Sequence, residues 1–133
     1  MFLDTSFWID LLREQKRDKR GPAVQKLETL AGVELFSSVF ALGELQTGAR
    51  LSTNPRRELQ RVNSLFKLLT VVYPDYSFAA SYGEAESTLR KKGISIPTMD
   101  LLIGVTAKMH GLPLITRDIT HFQRIQGLRV EGY

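Results

Sequence analysis

The chain contains no cysteine and only two histidines among its 133 residues. The absence of cysteine excludes disulfide bonds, thiol chemistry and zinc sites that need thiolate ligands. Proteins without disulfides are most simply expected in a reducing compartment. We therefore expect a cytoplasmic protein.

Long hydrophobic runs are also missing. The longest apolar candidate, LLIGVTA at 101–107, is far shorter than the roughly 18–20 residues of a membrane-spanning helix. The segment MFLDTSFW carries an acid at its fourth position and has no basic region, so it does not resemble a signal peptide. We expect no membrane partner, and we expect 101–107 to be buried in a core.

The composition shows no extreme that would indicate disorder or a fibrous protein. Hydrophobic residues make up 43% and charged residues 24% of the chain, which is typical of globular proteins. A chain of 133 residues can bury one sizeable core but is short for two, so we predict one domain over residues 1–133. The net charge of +4 and the pI near 9.6 give a first indication of a polyanionic partner such as nucleic acid.

Apolar periodicity predicts short strands that alternate with longer helices. The predicted strands are 1–3, 33–38, 70–74, 112–116 and a candidate fifth at 128–132. The predicted helices are 6–14, 22–31, 39–50, 55–69, 76–92 and 98–110, and 15–21 is a basic loop. Gly93 and Gly111 stand where two of these helices should end. Strands joined by helical crossovers indicate a three-layer α/β/α sandwich around a parallel sheet of four to five strands.

Four acids stand at unusual positions in this pattern, and three of them have a local structural alternative. Asp4 and Asp118 could cap a helix or a helical turn, and Asp100 could interact with the dipole of its helix. Glu44 lies inside the otherwise uncharged helix of FALGELQTGA, where no cap explains it. Its alternative is a helix edge that faces water.

The predicted topology brings these acids together. Asp4 and Asp118 each follow a strand at its carboxyl end, the edge where parallel sheets bind ligands, and the helices that carry Glu44 and Asp100 reach the same edge. Carboxylates that lie about 4 Å apart repel one another, so some of them retain protons or a cation lies between them. Oxygen ligands favour Mg²⁺ or Mn²⁺, which can hold a phosphodiester and an attacking water in their open positions.

The motifs LDTS, ALGELQTG, IPTMDLLIGVTAKMHGLPLITRDITHF and GLRV, in this order, resemble the PIN-domain ribonucleases, in particular the VapC-type toxins of toxin–antitoxin pairs. The resemblance covers essentially the whole chain. It implies a PIN-like fold and a metal-dependent endoribonuclease. It also implies that four acids hold Mg²⁺ or Mn²⁺ and activate water for RNA cleavage, namely Asp4, Glu44, Asp100 and Asp118.

Three polar residues, Thr5, Ser6 and Thr116, stand beside these acids and are expected to orient the acids or a bound water. Many family members have a further acid or Asn shortly after the last of the four acids. This chain has Thr120 and His121 there, which leaves open whether one or two metals bind. We expect His121 to be partly buried and hydrogen-bonded, with an RNA contact as the alternative.

Basic residues form a candidate RNA-binding surface. They comprise Arg13, Lys16, Arg17, Lys19 and Arg20 after the first helix, together with Arg117 beside Asp118. A solvated surface is the alternative for this set. We prefer the solvated surface for Arg56, Arg57 and Arg61 of the fourth helix, because Glu58 is interleaved with them.

The resemblance further implies a cognate antitoxin protein and a homodimer. The apolar stripe of the first helix either fills the core or leaves part of a groove for an amphipathic antitoxin helix; it consists of Phe7, Trp8, Leu11 and Leu12. An antitoxin arginine that paired with Asp4 or Asp100 would displace the cation.

Three other functions fit parts of the sequence. A signalling receiver domain, with Asp75 as phosphoacceptor, needs a lysine after the last strand; LRVEGY has none, and Glu44 would be unexplained. A PIN-like fold that binds without cleaving and a nuclease directed at DNA both remain open, because metal-assisted phosphodiester hydrolysis does not itself select the sugar.

Overall fold

A computed structural model describes residues 1–133 of the chain. The strands are β1 (Phe2–Leu3), β2 (Phe36–Ser38), β3 (Thr70–Val72), β4 (Leu114–Ile115) and β5 (Val130–Glu131). The helices are α1 (Thr5–Lys16), α2 (Pro22–Thr29), α3 (Val39–Arg50), α4 (Pro55–Phe66), α5 (Phe78–Lys91), α6 (Thr98–Met109) and α7 (Ile119–Phe122). No helix is both long enough and apolar enough to cross a membrane.

All five strands pair in parallel in one sheet with the order β3-β2-β1-β4-β5. Helices connect the successive strands, as parallel pairing requires. The predicted three-layer α/β/α sandwich is therefore confirmed, and the candidate fifth strand exists. Because β1 lies between β2 and β4, the carboxyl ends of these three strands lie side by side. We call this carboxyl-terminal end of the sheet the sheet edge.

The alternation of side chains along the strands separates two hydrophobic cores on opposite faces of the sheet. Phe2 pairs with Leu114 in the β1–β4 register, and both belong to a core shared with α5, α6 and α7. The next pair, Leu3 and Ile115, belongs to a core built with α1, α2, α3 and α4. Both faces of β1 are thus buried, which holds the residue that follows it in a rigid frame.

The apolar stripe of α1 mostly fills the second core. Phe7, Trp8 and Leu11 are at most 1% exposed, and Trp8 Nε1 donates a hydrogen bond to Ser37 Oγ at 3.1 Å. The interpretation of the stripe as a docking groove is wrong for these three residues, because the core takes up their whole surface. Leu12 alone keeps part of its surface exposed.

Several predicted boundaries are wrong by a few residues. The basic segment predicted as the loop 15–21 is helical as far as Lys16. Strand β2 begins only at Phe36, because Gly32 adopts a φ of 78° and turns the chain after α2. Gly93 and Gly111 have φ values of 67° and 65°, which confirms their predicted role at helix ends.

Candidate active site

Asp4 lies at the carboxyl end of β1, and only 3% of its surface is exposed. Its Oδ2 accepts hydrogen bonds from Ser6 Oγ at 2.7 Å and from Thr116 Oγ1 at 2.8 Å. The Ser6 backbone N–H also donates to Oδ2, at 3.4 Å, so Asp4 is the N-cap of α1 as the structural alternative predicted. Burial raises the pKa of Asp4, and these hydrogen bonds offset part of the rise. The cap role and a site role are compatible here.

Glu44 lies in the second turn of α3 and is half-buried. Thr5 Oγ1 donates a hydrogen bond of 2.5 Å to Glu44 Oε2, which joins α3 to the start of α1. Burial raises the pKa of Glu44; the Thr5 hydrogen bond opposes this effect, and repulsion from Asp4 and Asp100 adds to it. A helix edge that simply faces water therefore does not describe Glu44.

Asp100 lies in the first turn of α6 and is also half-buried. His121 Nδ1 is 2.9 Å from Asp100 Oδ2, so the expected hydrogen bond of a partly buried His121 is present. Burial raises the pKa of Asp100, and the His121 hydrogen bond opposes the rise. The nearby negative charges of Asp4 and Asp118 raise it further.

Asp118 occupies the N-cap position of α7, but its side chain makes no capping hydrogen bond. The structural alternative proposed for this acid is therefore not supported. The Asp118 backbone N–H donates to Thr116 Oγ1 at 3.0 Å, and that hydroxyl in turn donates to Asp4. One buried threonine thus connects the segments that carry two of the acids.

Repulsion between the acids contributes to the raised pKa values of Glu44 and Asp100. The negative charges of Asp4 and Asp100 both raise the pKa of Glu44, and the charge of Asp118 raises the pKa of Asp100. Asp4, Glu44 and Asp100 each bind a hydroxyl or imidazole group through one oxygen, Oδ2, Oε2 and Oδ2 respectively. The other oxygen of each accepts no hydrogen bond from a side chain. No Lys or Arg forms an ion pair with any of the four acids.

The donor set suits a hard divalent cation better than zinc or copper. It consists of carboxylate oxygens, which hard cations prefer. His110 is not part of the set, and its Nδ1 is 2.9 Å from the Thr106 carbonyl oxygen. No three Asp, Glu or His side chains, however, are arranged as a metal site; Glu44 contacts Thr5 and Asp100 contacts His121. A cation at this edge would use the free carboxylate oxygens and several waters, as Mg²⁺ does in proteins.

The predicted basic surface lies at the far end of α1. Arg13, Arg17 and Lys19 line an open polar pocket of about 240 Å³ with Asp10 and Glu14. Arg17 is thirteen residues from Asp4, and at a rise of about 1.5 Å per residue the separation along the helix is about 20 Å. Arg17 is therefore placed to meet a nucleic-acid segment that extends well beyond the acids, whereas Arg13 also lines the groove beside Glu44.

The other predicted basic residues form ion pairs within the chain. Arg20 binds Glu28 through two hydrogen bonds of 2.6 and 3.1 Å, and Lys16 binds Glu58 at 3.1 Å. The structure thus does not bring Arg20 to the acids. Arg61 also binds Glu58 and donates to the Leu12 carbonyl at 2.6 Å, so the predicted solvated surface is wrong for this half-buried residue. Arg56 and Arg57 are exposed, as predicted.

Two residues near the site were not predicted from the sequence: Asp10, which binds Arg117, and Tyr133, which binds Asp10. Arg117 Nη1 donates to both carboxylate oxygens of Asp10, at 2.7 and 2.9 Å, and Tyr133 Oη donates to Asp10 Oδ2 at 2.9 Å. Asp10 lies on α1 one turn after Ser6, and this spacing was a local signal that it faces the 116–118 segment. Nothing local indicated Tyr133.

A groove beside Glu44 separates α1 from α3 and α4. Its volume is about 300 Å³, and its apolar part is formed by Ile9, Leu12, Leu45, Ala49 and Val62. Charged residues of both signs surround it, namely Arg13, Lys16, Glu44, Glu58 and Arg61. The groove therefore offers apolar contact next to a carboxylate of the candidate site.

Comparison with known proteins gives consistent matches. The family model of the PIN domain matches residues 1–128. Ribonuclease VapC1 of Haemophilus influenzae (strain R2866) is 30% identical over 131 residues, which cover 98% of this chain and 96% of the relative. The tRNA(fMet)-specific endonuclease VapC of Salmonella typhimurium is 32% identical over 96 residues, 72% of this chain and 73% of the relative.

Solved structures show the same fold. A chain of VapBC2 from Rickettsia felis, bound to a DNA fragment from its promoter, superimposes with a TM-score of 0.89 at 26% identity and covers 99% of this chain and 97% of that chain. A chain of VapBC-1 from nontypeable Haemophilus influenzae has a TM-score of 0.86 at 28% identity, with coverage of 98% and 96%. The likeness extends over the whole sheet and its helices.

Proposed function

The chain belongs to the PIN-domain family, among the VapC-type ribonucleases, and we propose that it is an endoribonuclease toxin that uses Mg²⁺ or Mn²⁺. Its catalytic residues and metal ligands are Asp4, Glu44, Asp100 and Asp118. The whole chain, residues 1–133, acts as one nuclease domain on RNA in the cytoplasm.

The absence of a Lys or Arg partner at the acids carries this proposal. Asp4 is buried, Glu44 and Asp100 are half-buried, and no Lys or Arg neutralises them. Buried charges are normally paired or coordinate a metal, because desolvation without compensation costs several kcal/mol. Acids that repel one another at a ligand-binding edge therefore support a divalent cation as their partner.

The residues around the acids keep their free oxygens in place. Ser6 and Thr116 hold one oxygen of Asp4, so its other oxygen is the ligand atom. Thr5 orients Glu44 in the same way. When bound, the cation supplies charge neutralisation and activates water for attack on a phosphodiester.

His121 orients Asp100 from the position where many relatives have an additional acid or Asn. Its Nδ1 is committed to Asp100, and 41% of its side chain remains exposed. A neutral or positive imidazole adds no negative charge to the site. We therefore infer a site with fewer anionic ligands than a five-acid site, one that binds a single cation more readily than two.

Cleavage of a fluorogenic RNA with Mn²⁺ tests the proposal. Asp100→Asn should abolish cleavage, because it removes an anionic ligand and keeps the shape of the side chain. Asp75→Asn is the matched control, since Asp75 is an exposed acid whose carboxylate binds only Ser77. A DNA of the same sequence should remain intact. Equal loss in both variants, or cleavage of the DNA, would contradict the assignment.

We also propose that a cognate antitoxin docks in the groove between α1, α3 and α4. The groove has apolar walls for an amphipathic helix, and Glu44 is among its lining residues. An arginine of the antitoxin would therefore reach the acids, Asp4 or Asp100 included, and form a charge-assisted pair. Inhibition would then follow directly from binding, because the arginine and the cation compete for the same oxygens.

Co-expression tests the antitoxin. The chain alone should arrest growth, and the adjacent small gene product should relieve the arrest and co-purify with it. Ile9→Asp places a charge in the apolar groove and should prevent co-purification while RNA cleavage persists. Tyr76→Asp changes a fully exposed residue outside the groove and should leave the complex intact. A retained complex in Ile9→Asp would contradict the groove.

A homodimer completes the proposal. The mass of the purified chain, measured by light scattering, should be close to twice that of one 15.0 kDa chain. A mass of one chain at all concentrations would contradict the dimer without affecting the nuclease assignment.

A further inference from the structure

The Arg117 side chain forms an ion pair within the chain, although its position beside Asp118 suggests a contact with RNA. Its Nη1 donates to both oxygens of the Asp10 carboxylate, at 2.7 and 2.9 Å. Tyr133 Oη donates to the same carboxylate at 2.9 Å. We call these three residues, Asp10, Arg117 and Tyr133, the clamp.

The clamp is anchored on both sides. Asp10 belongs to α1, whose first residues contact Glu44 and Asp4. The Tyr133 ring packs edge-on against the fully buried Phe7, with ring centroids 5.1 Å apart. Burial and the neighbouring Asp10 carboxylate raise the pKa of Tyr133, so its hydroxyl remains a hydrogen-bond donor.

The clamp acts on the segment that carries Asp118. The Arg117 backbone N–H donates to Ser6 Oγ at 3.1 Å, and the Asp118 backbone N–H donates to Thr116 Oγ1. Thr116 and Arg117 are thus fastened to α1 or to its cap, and Asp118 is fastened to Thr116. The ion pair of Arg117 with Asp10 is the one attachment among these in which neither side chain contacts an acid of the candidate site.

We propose that Asp10, Arg117 and Tyr133 are positioning residues that fix the 116–118 segment, and through it Asp118, relative to Asp4. The inference rests on the proposed function, because Asp118 matters as a metal ligand. Arg117 then contributes to catalysis through the placement of its neighbour, and a direct contact with an RNA phosphate is not its role. Groups that orient metal ligands typically change metal affinity or activity by about 10- to 100-fold when they are removed.

The clamp should matter more for position than for global stability. The Arg117 side chain is 53% exposed and that of Asp10 is 18% exposed. Exposed ion pairs contribute little to the free energy of unfolding. Removal of the clamp should therefore leave the unfolding midpoint almost unchanged and increase the local motion of 116–118.

The experiment compares Asp10→Ala, Arg117→Ala, Tyr133→Phe and the double variant Asp10→Ala/Arg117→Ala. Controls are Glu84→Ala and Tyr76→Phe, two exposed residues whose side chains form no hydrogen bond or ion pair. The measurements are Mn²⁺ affinity by calorimetry, kcat and KM for RNA cleavage, and amide hydrogen exchange of residues 116–118 by NMR.

The clamp predicts a shared effect. All three single variants should lose about 10- to 100-fold in Mn²⁺ affinity or kcat, KM should change little, and the controls should behave as wild type. The double variant should be no worse than the poorer single variant, because both partners serve one contact. Arg117→Lys should recover part of the activity, since one nitrogen of Arg117 makes both hydrogen bonds.

A phosphate contact predicts a different result. Arg117→Ala alone would then weaken RNA binding and flatten its salt dependence, while Asp10→Ala would keep the wild-type kcat; that pattern overturns the clamp. Amide exchange decides the matter independently of catalysis. If the wild-type chain cleaved no RNA, the proposed function would fail, yet faster exchange at 116–118 in the variants would still support the clamp, and unchanged exchange would overturn it.

Discussion

Thr116 offers the sharpest test of how the site is held together. Its hydroxyl donates to Asp4 Oδ2 at 2.8 Å, accepts from the Asp118 N–H at 3.0 Å, and lies 3.2 Å from Ser6 Oγ. Thr116→Val keeps the shape of this fully buried side chain but removes the hydroxyl. The substitution therefore isolates the hydrogen bonds from the packing.

The expected loss follows from those contacts. A hydrogen bond to a charged group contributes about 1.5–3 kcal/mol, and a buried donor without an acceptor costs about 1–3 kcal/mol. Because Ser6 still donates to Asp4, we expect Thr116→Val to lower the free energy of unfolding by about 2–4 kcal/mol. Thr116→Ser retains the hydroxyl and loses one methyl group, so its cost should be about 1 kcal/mol.

The loss should also depend on pH. Burial raises the pKa of Asp4, so the stability linked to its protonation is present below its ordinary pKa and is lost as pH rises through the raised value. The Thr116 hydroxyl opposes this loss, because it stabilises the ionised carboxylate. Thr116→Val should therefore be more destabilising above neutral pH than in mild acid.

Urea titrations at several pH values, together with the RNA cleavage assay, measure both effects. We expect Thr116→Val to lose most of its activity under conditions where it is still folded, while Thr116→Ser remains active. If the two variants were equally stable at every pH, the buried hydroxyl would have no role in holding Asp4, and the argument for the hydrogen-bonded frame would be refuted.

Three further predictions concern the acids and the basic surface. Glu44→Gln should abolish cleavage yet leave the metal-free fold as stable or more stable at neutral pH, because the raised pKa of Glu44 shows that its ionised form is disfavoured; a large loss of stability in urea titrations would identify a structural acid. Excess chelator should stop cleavage and added Mn²⁺ should restore it, whereas full activity in chelator would exclude the metal mechanism. Arg17→Ala and Lys19→Ala should each flatten the log–log salt dependence of RNA binding by roughly 0.7, and Arg20→Ala should change it less because Glu28 already binds Arg20. A slope unchanged from wild type in all three variants would assign the surface to solvent.

The agreement between prediction and structure is best where the controlling interactions are local. The alternation of strands and helices follows from periodicity within a few residues, and the two helix-ending glycines need only a positive φ. The four acids could be placed at one edge because parallel strands share the direction of their carboxyl ends. The type of metal-binding atom could also be predicted from the sequence, since a chain without cysteine offers mainly oxygen ligands.

The sequence by itself thus determined the order of elements, the edge of the sheet that carries the acids and the class of cation they suit. Only the tertiary structure decided which side chains meet. Arg117 binds Asp10 across 107 positions and Tyr133 binds it across 123, and His121 binds Asp100. The physical reason is that such pairs depend on how far each helix is shifted and rotated on the sheet, and the packing of two separate cores sets these displacements. Apart from the spacing of Asp10 from Ser6, no local pattern in the sequence records these displacements, so the contacts of Arg117 became apparent only after the fold had placed its partners.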